Sequence, residues 1–262
     1  MAQTRIFLTL FISLLAVSGG ATRAKAQFGS LVSPGQAAQA QSQEELDAYL
    51  QIASMKEPPN IVSEVDAFAS AFPKSELLGF AYQHQLLAFE QLNNFDGMLA
   101  AGAKALAANP DNLNTLLTLA PAMASRAGGR PDRVQLLAQA ESYAQRALAG
   151  IEKTRLPHKV TLEHWNLDKR QMQSQAHEVL GMVALQRGQA QAAVPEFQTA
   201  IALAPTPEGI QFLRLGLAQA STNNKEDAAK SLRRGAELGP DSVRAIALAQ
   251  LAKLAHNSPR QP

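Results

Sequence analysis

Two consecutive stretches of the chain decide its fold. Residues 174–207 read SQAHEVLGMVALQRGQAQAAVPEFQTAIALAPTP, and residues 209–242 read GIQFLRLGLAQASTNNKEDAAKSLRRGAELGPDS. When Gly181 is aligned with Gly216, the residues 12, 16, 19 and 24 positions further on are small, large and apolar, small, and proline in both stretches. These residues are Ala193, Phe197, Ala200 and Pro205 in the first stretch and Ala228, Leu232, Gly235 and Pro240 in the second.

The chemistry of these four positions indicates two packed helices in each stretch. Small residues at the first and third positions let two helices approach closely, and the large apolar side chain between them fills the space beside that contact. Proline at the fourth position cannot continue a helix and therefore marks the end of the second one. Each stretch thus predicts a helix, a short turn and a second helix packed against the first.

This pattern resembles the tetratricopeptide repeat, a helix–turn–helix unit of about 34 residues. Residues 174–207 match most of its signature, with Ala184 where tyrosine is usual and His177 where tryptophan is common. The second stretch is similar, with Phe212 in the tryptophan place and Gln219 in the tyrosine place. The resemblance implies an all-α fold, namely a right-handed superhelical solenoid of about five helix–turn–helix repeats plus a C-terminal capping helix.

Before these stretches, apolar residues spaced three and four apart indicate further helix pairs, and after them the same spacing indicates a single helix. In one of these pairs, Leu86 stands where the signature has glycine and Met98 where it has alanine, so we expect a looser helix contact there. The stretch 157–173 holds no glycine and extends the first helix of the following unit backwards. The predicted solenoid spans 44–256, with units at about 42–74, 79–112, 113–153, 157–207 and 208–242 and a cap at 242–255.

The N-terminal segment predicts export of the protein. Residues 1–26 combine a positive Arg5, an apolar run at 6–17 and a small-x-small cleavage site that ends at Ala26, as in a secretory signal peptide. The run is about 12 residues long, whereas roughly 20 are needed to span a bilayer, so cleavage before Gln27 is favoured over retention as an anchor. We therefore expect an exported bacterial tetratricopeptide-repeat protein that is periplasmic or secreted.

The segments that flank the predicted solenoid both contain proline and serine. Residues 27–43 mix these residues with alanine and glutamine and predict a flexible leader, while 257–262 predict a disordered tail. No further stretch reaches transmembrane length, so we predict no transmembrane segment in the mature protein.

Charge and cysteine content exclude several classes of function. The chain has 24 Lys and Arg against 22 Asp and Glu, and loss of Arg5, Arg23 and Lys25 with the signal leaves 21 against 22. With this balance and no basic strip interleaved with aromatic residues, we predict no nucleic-acid partner. The chain contains no cysteine, which excludes disulfides, thiolate metal sites and cysteine nucleophiles.

Known catalytic motifs do not occur in the sequence. Residues 97–104, GMLAAGAK, lack the adjacent Gly-Lys-Ser/Thr of a phosphate loop and fall in a predicted helix. His164 and Asp168 lie at i and i+4 on one helix face, and with His158 they form the alternative of a metal site. We favour a local ion pair on a solvated face, and we predict no catalytic residue, no cofactor and no metal.

The resemblance also assigns a partner groove. In tetratricopeptide-repeat proteins the first helices line a concave groove that commonly binds an extended peptide or a partner helix. Members that clamp a C-terminal carboxylate have lysine and asparagine at the fifth and ninth positions of the repeat, where this chain has residues such as Gln83 and Leu87, so the clamp is absent. The groove residues predicted in this way are Gln83, His84, Leu87, Asn114, Thr118, Gln175, Glu178, Met182, Gln186, Leu213, Arg214 and Leu217.

These groove residues leave three functional hypotheses. Apolar side chains with amides and few charges suit a helix or an apolar peptide, which predicts a non-enzymatic scaffold or adaptor in the cell envelope. The same residues can instead bury against each other or against a second copy, which predicts a self-associating structural subunit and a homo-oligomer. The third hypothesis is an enzyme or metal protein that uses the histidine and aspartate cluster.

Overall fold

The computed structural model describes residues 38–157 and 160–256, and within these ranges the chain forms eleven α-helices and no strand. The prediction of an all-α fold is confirmed. The helices divide between two compact units, of which the first ends at Pro110 and the second begins at Asp111. We refer to their described parts as unit 1 and unit 2.

Unit 1 consists of two helix pairs with a shared apolar core. Its helices are α1 Gln43–Ser54, α2 Pro58–Ala71, α3 Leu78–Gln91 and α4 Phe95–Ala108. Tyr49 of α1 and Phe68 of α2 are buried and meet edge to face, with 6.4 Å between ring centroids. Val65, Leu77 and Ala81 are fully buried beside them, so the spacing of apolar residues correctly indicated the inward faces of these helices.

The chain in front of α1 lies against unit 1 from residue 38 onward. The backbone N–H of Gln39 donates to Glu76 at 3.0 Å, and the Gln41 side chain donates to the carbonyl of Lys74 at 3.3 Å. The predicted flexible leader, residues 27–43, therefore ends earlier than expected, because hydrogen bonds to the loop before α3 hold its last residues. The rest of the leader, the predicted signal at 1–26 and the tail at 257–262 lie outside the described residues.

Unit 2 contains three further helix pairs and a single last helix. Its helices are α5 Leu113–Arg126, α6 Arg133–Lys153, α7 Leu162–Gln186, α8 Ala190–Leu203, α9 Gly209–Ser221, α10 Lys225–Leu238 and α11 Asp241–His256. Each helix packs against the next one in the chain, and α7 also packs against α5 and α9. Contact between alternate helices is what stacks one pair upon the next.

The turns inside three helix pairs share one backbone feature. Asn93, Gly188 and Asn223 have φ angles of +54°, +76° and +61°, and each lies fifteenth in its unit when the units start at 79, 174 and 209. Glycine and asparagine are the residues that adopt this left-handed conformation at low cost. These three units therefore resemble one another in the backbone dihedral angles of the turn as well as in sequence.

The signature glycines lie where the first and second helices of a pair touch. A Cβ atom on Gly181 would come within 2.7 Å of the Phe197 ring, and one on Gly216 would come within 2.7 Å of Leu232 Cγ. Both partners are fully buried and lie 16 residues after their glycine. The predicted close approach of two helices is confirmed at this contact.

The pair α3 and α4 reverses the sizes at this contact. Leu86 replaces the glycine, and the residue 16 positions later, where the other pairs have Phe197 and Leu232, is Gly102. Leu86 is fully buried and Gly102 is buried, as is Met98. The full burial of Leu86 and Met98 gives no sign of the looser packing expected there, and the sequence places a small residue, Gly102, on the second helix instead of the first.

Helix α7 is much longer than its neighbours, as predicted from the lack of a helix-breaking residue after 157. It begins after Thr161, whose hydroxyl accepts a hydrogen bond from His164 N at 3.2 Å. Trp165 is 5% exposed and anchors the additional turns, and the guanidinium of Arg170 donates to the Leu203 carbonyl at 3.2 Å.

The last helix covers the end of the unit 2 core. Val243 and Ala247 of α11 are buried against Leu213 of α9 and Leu232 of α10. Helix α11 therefore lies where the capping helix was expected.

Candidate partner-binding face

The predicted groove residues of unit 2 lie on its odd-numbered helices, which are the first helices of the repeats. We call the part of this set that is at least partly exposed the first-helix face. It comprises Asn114 and Thr118 of α5, Gln175, Glu178 and Gln186 of α7, and Arg214 and Leu217 of α9.

The charged members of the first-helix face neutralise one another. The Arg214 guanidinium donates to Oε1 of Glu178, so that an ion pair joins α7 to α9. The other carboxylate oxygen of Glu178 accepts from Gln211 Nε2 at 3.2 Å, and the same amide lies 3.3 Å from Ser174 Oγ. The ion pair therefore belongs to a network that fixes the spacing of two neighbouring repeats.

Gln186 links helices on the other side of α7. Its amide donates to the carbonyl of Ala124 in α5 at 3.5 Å, while the guanidinium of Arg133 in α6 donates to the Gln186 backbone carbonyl. Next to it, Arg187 forms a 2.8 Å ion pair with Glu141 of α6. At this end of the first-helix face, polar side chains therefore hold α7 against α5 and α6 as well as forming part of the surface.

Two predicted groove residues of unit 2 are buried and do not offer a surface to a partner. Leu213 is 3% exposed and packs in the core with Leu232, and Met182 is 9% exposed. Leu213 is buried because residues of α10 and α11, including Leu232 and Val243, pack against it. Leu217 packs against the same core but remains partly exposed.

The remaining surface is neutral and able to form hydrogen bonds. Gln175 is exposed, and Asn114 and Thr118 are half-buried. Amide side chains both donate and accept hydrogen bonds, and so does a hydroxyl group. Such groups match the alternating N–H and C=O groups of a peptide backbone, and Leu217 adds an apolar contact.

In unit 1 the predicted groove residues lie on α3. Gln83 is half-buried and Leu87 is 36% exposed, whereas His84 packs edge-on against Tyr49 of α1, with 3.5 Å between Nε2 and the hydroxyl oxygen. Burial lowers the pKa of His84 and raises the pKa of Tyr49 to about 12. His84 therefore joins two neighbouring first helices rather than facing an open surface.

One residue of α3 that the repeat positions did not indicate also joins two helices. Gln85 is buried, and its amide donates to Asp66 at 2.8 Å and to the Val62 carbonyl at 3.2 Å, both in α2. A buried glutamine inside an apolar stretch is the sequence signal that indicates such a role, because its amide needs partners there.

Comparisons with known proteins support the repeat fold. No protein-family model matches the chain, and no curated protein matches it. Among solved structures, the chain resembles the MamA RS-1 ArsTM double mutant at 12% identity and a TM-score of 0.56, over 80% of this chain and 98% of that one. It also resembles the assembly chaperone of RpL4, Acl4, at 14% identity and a TM-score of 0.59, over 80% and 84% of the two chains.

A third structure is a thermophilic tetratricopeptide-repeat protein from Thermus thermophilus, at 15% identity and a TM-score of 0.45, over 82% of this chain and 98% of that one. At identities this low, the likeness concerns the fold alone. The first two structures share the stacking of helix pairs, and the present chain adds the signature contacts of Gly181 and Gly216. This chain has the tetratricopeptide-repeat fold.

In the described ranges of these tetratricopeptide-repeat helices, His164 and Asp168 have no third metal-ligating side chain beside them. His164 Nε2 lies 3.7 Å from Asp168 on the exposed side of α7, while His158 is outside the described residues. His177 instead pairs with Glu196 of α8 at 2.7 Å. Residues 38–157 and 160–256 contain no group of three histidine, aspartate or glutamate side chains placed to hold a metal ion.

None of the tetratricopeptide-repeat helices in the described part of the chain combines the length and the apolar character that crossing a membrane requires. A shallow cavity of about 380 Å³ lies between α8, α9 and α10, over Ile201, Phe212 and Leu215. The lysine and arginine at its rim, Lys230 and Arg234, pair with acidic residues of their own helix. This cavity therefore lacks free charge for binding an ionic ligand.

Proposed function

We propose that this chain is a non-enzymatic scaffold of the cell envelope that binds a segment of a partner protein along the first-helix face of unit 2. The observation that carries the proposal is the neutral, hydrogen-bonding surface formed by Asn114, Thr118 and Gln175 beside the Glu178–Arg214 ion pair. The fold agrees with this role, since tetratricopeptide repeats commonly bind proteins.

The chemistry of the face selects the class of ligand. An acidic tail needs cations that are not already paired, and Arg214 is engaged by Glu178. An extended or helical segment that carries backbone groups and small apolar side chains needs amide, hydroxyl and aliphatic contacts, which this face offers. We therefore expect a partner segment with little net charge.

The place of action is the envelope because the N-terminal sequence has the pattern of a cleavable export signal. Release of residues 1–26 exposes Gln27 and leaves a mature chain with nearly balanced charge. The partner would then be another exported protein or the outward part of a membrane protein.

Affinity capture of the mature chain, residues 27–262, from cells that make it tests this proposal. Gln175→Arg places a long cation on the first-helix face, and we expect it to reduce recovery of the principal partner at least tenfold. Gln145→Arg is the matched control, because Gln145 is equally exposed but lies on α6, a second helix. Equal recovery with both variants, or no partner with the unmodified chain, would contradict the proposal.

A further inference from the structure

Helix α1 is the least firmly packed helix of unit 1. Its buried side chains Leu46, Tyr49 and Ile52 lie in the unit 1 core. The helix packs against α2 and α3, but less extensively than α3 packs against α2 and α4. A helix with few buried contacts opens locally at a lower free energy than the rest of its domain. We therefore expect α1 to leave the core of unit 1 before α3 and α4 do.

The links at the two ends of α1 allow such an opening. Three residues, 55–57, join α1 to α2. In front of α1, the hydrogen bonds from Gln39 to Glu76 and from the Gln41 side chain to the Lys74 carbonyl are both exposed. Water readily replaces exposed hydrogen bonds, so they contribute little to holding α1 in place. The apolar contacts on the inner side of α1 thus provide most of its attachment.

A titratable side chain of α3 lies within this attachment. The ring of His84 packs against the Tyr49 ring of α1, with 6.0 Å between centroids and 3.5 Å between Nε2 and the hydroxyl oxygen. Burial lowers the pKa of His84 and raises the pKa of Tyr49 to about 12, so the hydroxyl group remains neutral. A protonated His84 would therefore face a neutral partner on α1.

The charged groups of the other helices that pack against α3 are engaged elsewhere. Asp66 of α2 accepts a hydrogen bond from Gln85, and Lys104 of α4 lies over the Tyr82 ring at 5.1 Å from its centroid. Within the described ranges, no carboxylate forms an ion pair with His84. A positive charge at this position is therefore uncompensated while α1 is in place, and it is hydrated once α1 has moved away.

We propose that protonation of His84 releases α1 from α3, so that unit 1 opens at its first helix in mildly acidic solution while α3 and α4 stay packed. Release of α1 removes Tyr49 from the core that it shares with Leu77 and Ala81, and so uncovers an apolar side of α3. The inference is independent of the proposed function, because it concerns unit 1 and the partner-binding face lies on α5, α7 and α9 of unit 2.

The direction of the effect follows from proton linkage. The open form exposes His84 to water and binds a proton at the ordinary pKa, near 6.5, whereas the closed form binds it only at lower pH. Acidification therefore favours the open form. Between pH 7.5 and 5.5, an ordinary histidine can raise the population of the open form by about tenfold at most.

Hydrogen–deuterium exchange of the mature chain, residues 27–262, tests the proposal at pH 7.5 and 5.5. Exchange is expressed as a protection factor, that is, relative to an unstructured peptide at the same pH. We expect protection of α1 to fall by about two- to tenfold at pH 5.5, within the limit set by the histidine pKa. Protection of α4 in the same molecules should be unchanged.

Two variants distinguish His84 from other causes of a pH effect. His84→Gln keeps a polar side chain of similar length that does not titrate, and it should abolish the loss of protection in α1. Leu87→Gln is the matched control on α3, because Leu87 is 36% exposed, and it should behave as the unmodified chain does. Equal protection of α1 at both pH values, an equal loss in α1 and α4, or a loss that persists in His84→Gln would overturn the proposal.

Discussion

At the residue scale, several side chains at groove positions join neighbouring repeats. Glu178 and Arg214 join α7 to α9, Gln186 joins α7 to α5, and His84 joins α3 to α1. The groove positions of the repeat correctly placed these residues on first helices. Their partners could not be predicted, because a partner lies 35 or more residues away in sequence and only the stacking brings it near.

His84 makes folding stability depend on pH. Its pKa in the folded protein is lowered by burial, so the unfolded chain binds a proton at a higher pH than the folded chain does. The contribution of His84 to the free energy of unfolding is complete when the pH is above the pKa of this side chain in the unfolded chain, near 6.5. It is lost as the pH falls from that value toward the lower pKa of His84 in the folded protein. We expect the unfolding temperature, followed by circular dichroism, to fall between pH 7.5 and 5.5.

The His84→Gln variant isolates this effect. Glutamine does not titrate, so the fall in unfolding temperature between the two pH values should be smaller than in the unmodified chain. Leu87→Gln is the control, because Leu87 is 36% exposed on the same helix and the replacement adds or removes no titrating group, so the fall should be unchanged. An equal fall in all three proteins would show that His84 does not carry the pH dependence.

At the element scale, the unit of this fold is a helix pair, and two of the pairs have a glycine packed against a large side chain, at Gly181 and at Gly216. The repeat signature predicted two helix pairs, apolar spacing predicted three more because amphipathic helices are recognisable within a few turns of sequence, and the lack of glycine in 157–173 predicted the backward extension of α7. These patterns did not predict that α3 and α4 reverse the sizes at their contact. Recognising that reversal requires knowing that positions 86 and 102 face each other, and only the packed helix pair provides that information.

A double-mutant cycle tests the reversed contact. Leu86→Ala should cost about 3 kcal/mol in free energy of unfolding through the cavity it leaves. Gly102→Leu should cost about 2 kcal/mol through overpacking. The double variant restores one large and one small residue, so it should be more stable than the sum of the two costs by at least about 1 kcal/mol. Free energies from urea unfolding measure these terms.

The control for this cycle combines Leu86→Ala with Gly128→Ala. Gly128 lies in the loop between α5 and α6, with no atom within 4 Å of a Cβ placed there, so the two costs should add. If the costs of Leu86→Ala and Gly102→Leu in free energy of unfolding are also additive, the two residues are not in contact.

At the scale of the whole molecule, each of the two units has an apolar core of its own, and unit 2 carries the longer series of stacked repeats. The sequence predicted the fold class and the helix pairs. It did not predict that two of the groove positions, Met182 and Leu213, are buried, or that Glu178 and Arg214 pair with each other. Exposure at a given repeat position depends on how far the neighbouring helices reach, and this differs from one repeat to the next.

The central claim is that the first-helix face of unit 2 binds a partner protein in the cell envelope, and site-specific photo-crosslinking in living cells tests it most directly. The photoreactive amino acid benzoyl-phenylalanine is placed at position 175 on α7 or at position 145 on α6. The account predicts one discrete adduct with another exported protein from position 175 and none from position 145. No adduct from position 175, or the same adducts from both positions, would contradict it.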